Sequence, residues 1–191
     1  MRLTRKFFNR NSVVVAKELL GKILASNLGN KKVSGMIVET EAYRGDKDAG
    51  SHAYKKVTPR NKIMYGPPGH AYVYFCYGNH YLLNIVTESE GNPGAVLIRA
   101  LEPVTNVKEM VKRRKVKDKR KLTNGPGKLT QALAIGKNEN GLDVTKSNKL
   151  FLIDSRKRKK FKIISASRVG IKQGMDKKWR FYVKDNEYVS T

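Results

Sequence analysis

Cysteine and histidine are scarce in this sequence. Its one cysteine, Cys76, excludes an internal disulfide. The three histidines and this cysteine stand at scattered positions that match no zinc-binding spacing. We therefore expect neither a disulfide framework nor a structural metal.

Long apolar runs are also missing. Hydrophobic residues make up 39% of the chain, but no stretch is long enough to span a bilayer. Residues 1–5 are followed by no signal-peptide core. We expect no membrane association and a location inside the cell, in the cytoplasm or nucleoid of a bacterium or the nucleus of a eukaryote.

Acidic residues are few. The chain has 16 Asp and Glu against 40 Lys and Arg, which gives a formal charge of +24. Such a surplus indicates a polyanionic partner, either nucleic acid or an anionic membrane surface. The length of 191 residues fits one domain over residues 1–191 with a core of its own.

Two of these rare acidic residues, Glu39 and Glu41, stand with Tyr43 at the end of an apolar, β-branched run at residues 36–43. The run predicts a strand whose alternation puts Ile37, Glu39, Glu41 and Tyr43 on one face. Carboxylates that follow a buried strand in a basic protein are candidates for catalysis. The alternative is that both glutamates are solvated or bound by a nearby lysine.

Two further β-rich runs, at residues 72–77 and 80–86, flank Gly78-Asn79, which is typical of a tight hairpin. Tyr77 then lies at the tip, where an aromatic side chain can wedge into a base stack. Alternation places Tyr72 and Tyr74 on one face, where their rings could stack on an extruded base. The alternative is that these tyrosines simply pack the sheet.

Arg99 interrupts the apolar run at residues 95–101 and so requires a nearby anion, such as Glu41 or Glu102. The turn at residues 125–128 lacks the spacing of a nucleotide-triphosphate loop. It precedes a predicted helix at residues 129–135, and its Lys128 could help hold a backbone phosphate.

The remaining pattern predicts a mixed fold. We expect a helix capped by Ser12 and running to about Leu20, a long surface loop from Arg44 to Gly69 that contains His52, and a helix that begins with a capping box of Asn106 and Glu109. The basic run from Lys112 to Lys121 is either a solvated face or a phosphate contact. Further strands are predicted at residues 22–28, 149–153, 161–171 and 179–183.

Six motifs in one order make the chain similar to the 3-methyladenine DNA glycosylases of the alkyladenine (methylpurine) type, which excise damaged purines. The resemblance implies an α+β fold, a single mixed domain with a curved antiparallel β-sheet, peripheral helices and a protruding β-hairpin, without metal or other cofactor. The motifs occupy residues 38–43, 58–61, 72–78, 98–103, 125–129 and 168–170.

The resemblance also implies roles for individual residues. Glu41 matches the general base, and Arg99 matches the arginine that helps hold the attacking water. Tyr77 matches the residue that enters the minor groove and fills the vacated stack. The remaining matches bind the flipped base or the DNA: Tyr43, His52 and Tyr74 as rings around the base, Asn84 as the amide that excludes guanine, and Arg60 and Lys128 as DNA contacts.

The implied partner is duplex DNA containing a damaged purine, bound by a monomer. The expected substrates are 3-methyladenine, 7-methylguanine, hypoxanthine and ethenoadenine, in no order of preference. Two other classes stay open at this point. One is a non-catalytic basic nucleic-acid-binding protein, and the other is a metal-dependent nuclease using Glu39, Glu41 and His52.

Overall fold

The computed structural model describes residues 1–76, 78–155 and 160–190. These residues form four α-helices: α1 (Arg5–Phe8), α2 (Ser12–Leu19), α3 (Val107–Arg114) and α4 (Pro126–Leu133). They also form eight strands: β1 (Ile23–Ser26), β2 (Val33–Tyr43), β3 (Ala71–Cys76), β4 (His80–Thr87), β5 (Gly94–Thr105), β6 (Leu150–Ile153), β7 (Ile163–Ala166) and β8 (Arg180–Val183).

The strands build one curved antiparallel sheet in the order β3-β4-β5-β2-β1-β6, with the β7–β8 ribbon joined to β2. Strand β2 is central because β5 pairs along one of its edges, while β1 and then β8 pair along the other. Together with the peripheral helices and the β3–β4 hairpin, this arrangement confirms the expected α+β fold with a curved antiparallel sheet.

The register of β2 against β5 shifts on either side of Glu39. Such irregularities interrupt strict alternation. Ile37 and Val38 consequently both join the hydrophobic core, so the prediction that Ile37 shares a face with the acidic residues is wrong. Glu39 and Glu41 do lie on the same side, since both contact Arg99.

Helix α2 covers the other face of β2. Its Val15, Ala16 and Leu19 are fully buried in the core cluster. The Thr40 hydroxyl donates a 2.9 Å hydrogen bond to the Ala16 carbonyl, which satisfies a polar group against the helix. One face of β2 therefore packs in the core, and the opposite face carries the carboxylates of Glu39 and Glu41.

The helix starts differ from their predictions. Asn11 caps α2 by accepting a hydrogen bond from the Val13 N–H, and Ser12 is the first helical residue. No capping box forms on α3, because Asn106 has a φ of +54° and donates to the Lys32 carbonyl instead. None of the helices in the described part of the chain has the length and hydrophobicity that a bilayer-spanning helix requires.

The predicted strand at residues 161–171 is correct only for Ile163–Ala166. Beyond it the chain leaves the sheet, and Gly170 adopts a φ of +76°, a conformation that favours glycine. This backbone conformation lets the segment that follows β7 change direction toward β2.

Candidate active site

A cavity of about 220 Å³ opens beside β2, between the β3–β4 hairpin and the segment after β7. Its volume is smaller than the ~300–1,000 Å³ of most ligand pockets, a size suited to one small planar group. Five of the predicted site residues line it: Tyr43, His52, Tyr74, Asn84 and Arg99.

Glu41 lies fully buried behind this lining. Its Oε1 accepts a 2.7 Å hydrogen bond from the Val169 N–H and lies 3.3 Å from Nη1 of Arg99. Its Oε2 accepts a 2.8 Å hydrogen bond from the Tyr43 hydroxyl. Two of its partners, Tyr43 and Arg99, reach directly into the cavity, and the backbone of Val169 borders it.

Burial raises the pKa of the Glu41 carboxyl, and this effect exceeds the lowering by Arg99, the Val169 N–H and the Tyr43 hydroxyl. On its own, the charge of Arg99 lowers the pKa of Glu41. Desolvation outweighs it because the charged form loses its water entirely. A raised pKa makes Glu41 a stronger base than an exposed glutamate.

Arg99 is shared between two carboxylates. Its Nε donates to Oε1 of Glu39 at 3.1 Å, while its Nη1 faces Glu41. The sequence predicted Glu41 or Glu102 as its anion. The structure confirms Glu41, and the second carboxylate is Glu39 rather than Glu102. Glu102 accepts a hydrogen bond from Asn186.

Aromatic rings from the loop after β2 and from β3 line the cavity. The His52 ring lies 4.8 Å from the Tyr74 ring, and its Nδ1 is 2.9 Å from the Tyr72 hydroxyl. Desolvation and the charge of Arg60 lower the pKa of His52, so its ring is neutral at neutral pH. The exposed Arg60 guanidinium stacks 4.6 Å above Tyr74.

Tyr43 rests on a buried ion pair. The Arg168 guanidinium lies 4.7 Å from the Tyr43 ring and binds both carboxylate oxygens of Asp48, at 2.5 and 2.6 Å. It also donates to the backbone carbonyls of Ala42 and Gly174. This pair joins the end of β2 to both loops that border the cavity.

Asn61 fixes the loop that carries His52. It is buried, its Oδ1 accepts from the Thr58 N–H at 2.6 Å, and its Nδ2 donates to the carbonyls of His52 and Lys56. The expected surface loop is therefore an ordered element that also contains short 3-10 turns at Gly45–Lys47 and Lys62–Tyr65.

Asn84 lines the cavity, whereas Lys128 is not part of its lining. The Asn84 amide, buried on β4, donates to the Tyr72 carbonyl at 3.3 Å. Lys128 stands on α4, whose first residue Pro126 lines the cavity, and its Nζ donates to Oδ1 of Asn124. Burial, Arg114 and Lys121 all lower the pKa of Lys128.

Tyr77 lies outside the described residues, so its assignment as the wedge stays a prediction. Its neighbours are placed at the turn between β3 and β4, where Gly78 adopts a φ of +69° with open space around it. The predicted hairpin itself is confirmed, with β3 and β4 paired from Ala71–Ile85 to Cys76–His80.

Sequence reasoning missed several residues that hold the site together. Asp48 could not be distinguished from the other polar residues of its loop. Nothing in the sequence around Ser190 indicated a role at the site. Glu39 shared a predicted face with Glu41 and was assigned only to the metal-site alternative. Arg168 stands in a motif of the resemblance, which was a usable signal, but it received no role.

The sequence also matches a known protein family. The sequence profile of the family described as Methylpurine-DNA glycosylase (MPG) matches residues 6–187. The chain belongs to the methylpurine-DNA glycosylase family. The resemblance seen in the sequence is thereby confirmed over almost the whole chain.

Bacterial relatives of this glycosylase family are similar along their whole length. A protein of Desulfitobacterium hafniense (strain Y51) is 48% identical over 201 residues, covering 99% of this chain and 98% of its own. One of Clostridium acetobutylicum is 46% identical, covering 100% and 98%, and one of Prosthecochloris aestuarii is 49% identical, covering 99% and 91%. Each is named "Putative 3-methyladenine DNA glycosylase".

Loss of the Asp48 charge should destabilise this glycosylase fold. In Asp48→Asn the buried Arg168 guanidinium loses its counter-ion, since both side chains have no exposed surface. Removing one partner of a buried pair costs roughly 3–5 kcal/mol. We expect a drop of this size in the free energy of unfolding, measured by urea denaturation.

Glu18→Gln serves as the control for that measurement. Its pair with Arg10 lies at the surface, with 48% of the Glu18 side chain exposed. Breaking an exposed pair changes stability by roughly 1 kcal/mol or less. Equal destabilisation by the two substitutions would contradict a special role of the Arg168–Asp48 pair.

Proposed function

We propose that this protein is a monofunctional purine DNA glycosylase in which Glu41 activates a water molecule. The water hydrolyses the bond between sugar C1′ and a damaged purine flipped out of duplex DNA, and an abasic site remains. Family membership supports DNA glycosylase activity in DNA repair. The observation that carries the mechanism is the buried Glu41 carboxylate, paired with Arg99 behind an aromatic cavity.

Cleavage of this bond passes through a cation-like sugar. The reaction needs a positioned water, a negative charge beside the sugar and a leaving base that is held in place. Glu41 meets the first two needs, because its carboxylate can take the proton of the water and oppose the developing charge. Burial strengthens both effects, since no bulk water screens them.

The hydrogen bonds of Glu41 leave a place for that water. A carboxylate offers about four lone-pair positions. The Val169 N–H, Arg99 and the Tyr43 hydroxyl occupy three of them. The fourth can accept a hydrogen bond from water. No lysine lines the cavity among the described residues, which supports water rather than an amine as the nucleophile.

The rings around the cavity suit a planar base. Tyr43 and Tyr74 offer aromatic faces, and the neutral His52 adds no charge repulsion against a cationic purine. Asn84 is placed at the cavity wall, where an amide can oppose the exocyclic amino group of guanine. Tyr77 would fill the vacated stack, which offsets part of the few kcal/mol that flipping costs.

The basic surface supplies the affinity for DNA. A net charge of +24 favours non-specific binding to a polyanion that weakens with salt. Arg60 is exposed beside the cavity, and Lys128 gains a counter-charge when a phosphate approaches. A monomer suffices for one lesion at a time.

The alternative classes fit the site less well. A non-catalytic nucleic-acid binder gains nothing from two carboxylates buried beside a polyanion. A metal-dependent nuclease is disfavoured because arginines already bind Glu39 and Glu41. No group of three metal-ligating side chains occurs in the part of the chain that is described.

Base release should depend on Glu41. A general base contributes roughly 10²–10⁴-fold to a rate, so Glu41→Gln should release damaged bases at least about 100-fold more slowly than wild type. The assay is alkali-induced strand cleavage of labelled duplexes containing hypoxanthine, ethenoadenine or methylated purines, with a chelator present throughout.

Glu18→Gln is the matched control, since it makes the same chemical change on the surface. It should cleave as wild type does. A Glu41→Gln protein within tenfold of wild type would rule out Glu41 as the base. Tight, salt-sensitive binding without release from any duplex would instead favour the non-catalytic binder.

The rate should fall at acidic pH as Glu41 becomes protonated, and Tyr43→Phe should move this fall to higher pH. The Tyr43 hydroxyl lowers the pKa of Glu41 by donating to its anion, so losing that hydroxyl raises the pKa further. At a given acidic pH more of the base is then protonated and inactive. Single-turnover rates across pH, with enzyme saturating, measure this shift.

Tyr81→Phe controls for loss of a tyrosine hydroxyl. Tyr81 lies on β4 beside Phe75 and packs against the core rather than the cavity. Its pH profile should match that of wild type. A Tyr43→Phe profile that coincides with wild type, or moves to lower pH, would show that the hydroxyl does not stabilise the Glu41 anion.

A further inference from the structure

We propose that Glu39 is a positioning residue for the reaction, which together with Ser190 holds the Arg99 guanidinium aimed at Glu41. The inference rests on the proposed function of Glu41. Neither residue lines the cavity, so both act through Arg99 rather than on the substrate.

The contacts of Glu39 occupy both of its oxygens. Its Oε2 accepts a 2.7 Å hydrogen bond from the Ser190 N–H. Its Oε1 accepts from the Ser190 hydroxyl at 2.9 Å, from Nε of Arg99 at 3.1 Å and from Nη1 of Arg180 at 3.1 Å. The carboxylate is fully buried. Its orientation is therefore fixed from three separate parts of the chain.

These contacts fix the orientation of Arg99. Its Nε binds Glu39, its Nη2 donates to the Ser190 hydroxyl at 3.2 Å, and its Nη1 lies 3.3 Å from Glu41. A planar guanidinium held at two of its nitrogens cannot rotate away from its third partner. Glu39 and Ser190 thus determine where Nη1 points.

Glu39 also acts on Glu41 through its negative charge. Two carboxylates, Glu39 and Glu41, face two guanidiniums, Arg99 and Arg180. If Glu39 became neutral, the negative charge that raises the pKa of Glu41 would be lost. The Glu41 pKa would then fall, and Glu41 would become a weaker base.

The other groups around Glu41 do not replace this effect. Arg168, Tyr43 and Tyr74 also interact with its charge, and the Val169 N–H binds it directly. Among the described groups named here that act on its charge, Glu39 is the carboxylate: it raises the pKa of Glu41 while Arg99 lowers it.

Glu39→Gln tests the proposal. We expect the plateau single-turnover rate to fall by about tenfold or more, because Arg99 is no longer held in place. We also expect the acidic fall in rate to move to lower pH, since the Glu41 pKa drops. This direction is opposite to that expected for Tyr43→Phe, and general loosening of the structure would not produce it.

Ser190→Ala provides a second variant that keeps every charge. It removes one contact to Glu39 and one to Arg99 but retains the Ser190 N–H. The rate should fall severalfold with the acidic limb unmoved. Ser34→Ala is its control, because that buried hydroxyl binds Thr105 across β2 and β5 without contacting Arg99. It should leave the rate as in wild type.

The outcomes separate the two proposals. A wild-type protein that releases no base overturns the proposed function, and the positioning role falls with it. An active wild type beside a Glu39→Gln protein with unchanged rate, or with a slower rate but an unmoved acidic limb, overturns the positioning role alone. If Glu39→Gln does not fold, Ser190→Ala decides, and a rate equal to that of Ser34→Ala rejects the proposal.

Discussion

The Arg99 guanidinium, buried between the carboxylates of Glu39 and Glu41, is the interaction on which this structure depends. Charges taken out of water are costly, and they are tolerated only when geometry and hydrogen bonds compensate for the lost hydration. Here the compensation comes from β2, β5, β8, the segment after β7 and Ser190. None of these elements can move far without leaving a buried charge unpaired. The site and the sheet therefore form together or not at all.

Burial has two opposing consequences for Glu41. It raises the pKa of the carboxyl, which favours proton acceptance from water, but it also threatens to leave the group protonated. Arg99, the Val169 N–H and the Tyr43 hydroxyl limit that rise. A pKa lowered too far by these partners would make the proposed base too weak. A pKa raised too far would leave it protonated and inactive. Burial and the hydrogen bonds that it receives together determine how strong a base this carboxylate is.

The parts of this arrangement that are encoded locally could be predicted from the sequence. The strand that bears Glu41 and the β3–β4 hairpin each follow from an alternating pattern and a turn within about ten residues. The partners of Glu39 could not be predicted in this way, because Arg180 and Ser190 are 141 and 151 residues distant along the chain. Asn61 stands in the motif at residues 58–61, but its structural role was hidden, since a polar loop residue looks the same whether it is solvated or binds buried carbonyls. The strand predicted at residues 161–171 was too long because Val169, an apolar residue, donates to Glu41 instead of to a sheet neighbour.

The cations beside the aromatic rings bear on how the proposed glycosylase would select its substrate. Arg168 lies against Tyr43 and cannot withdraw, because Asp48 and two carbonyls hold it. A guanidinium on one face of a ring draws on the same π electrons that would attract a cationic purine at the other face. Tyr43 is consequently a better surface for stacking than for cation–π attraction. Arg60, which is exposed over Tyr74 and interacts with the Tyr72 hydroxyl, pairs with no carboxylate in the described part of the chain and would be able to turn toward a phosphate if DNA binds. In the proposed mechanism, selectivity would then depend strongly on how readily a damaged base leaves the stack and the sugar, while the cavity would supply shape and the buried carboxylate the base for the reaction.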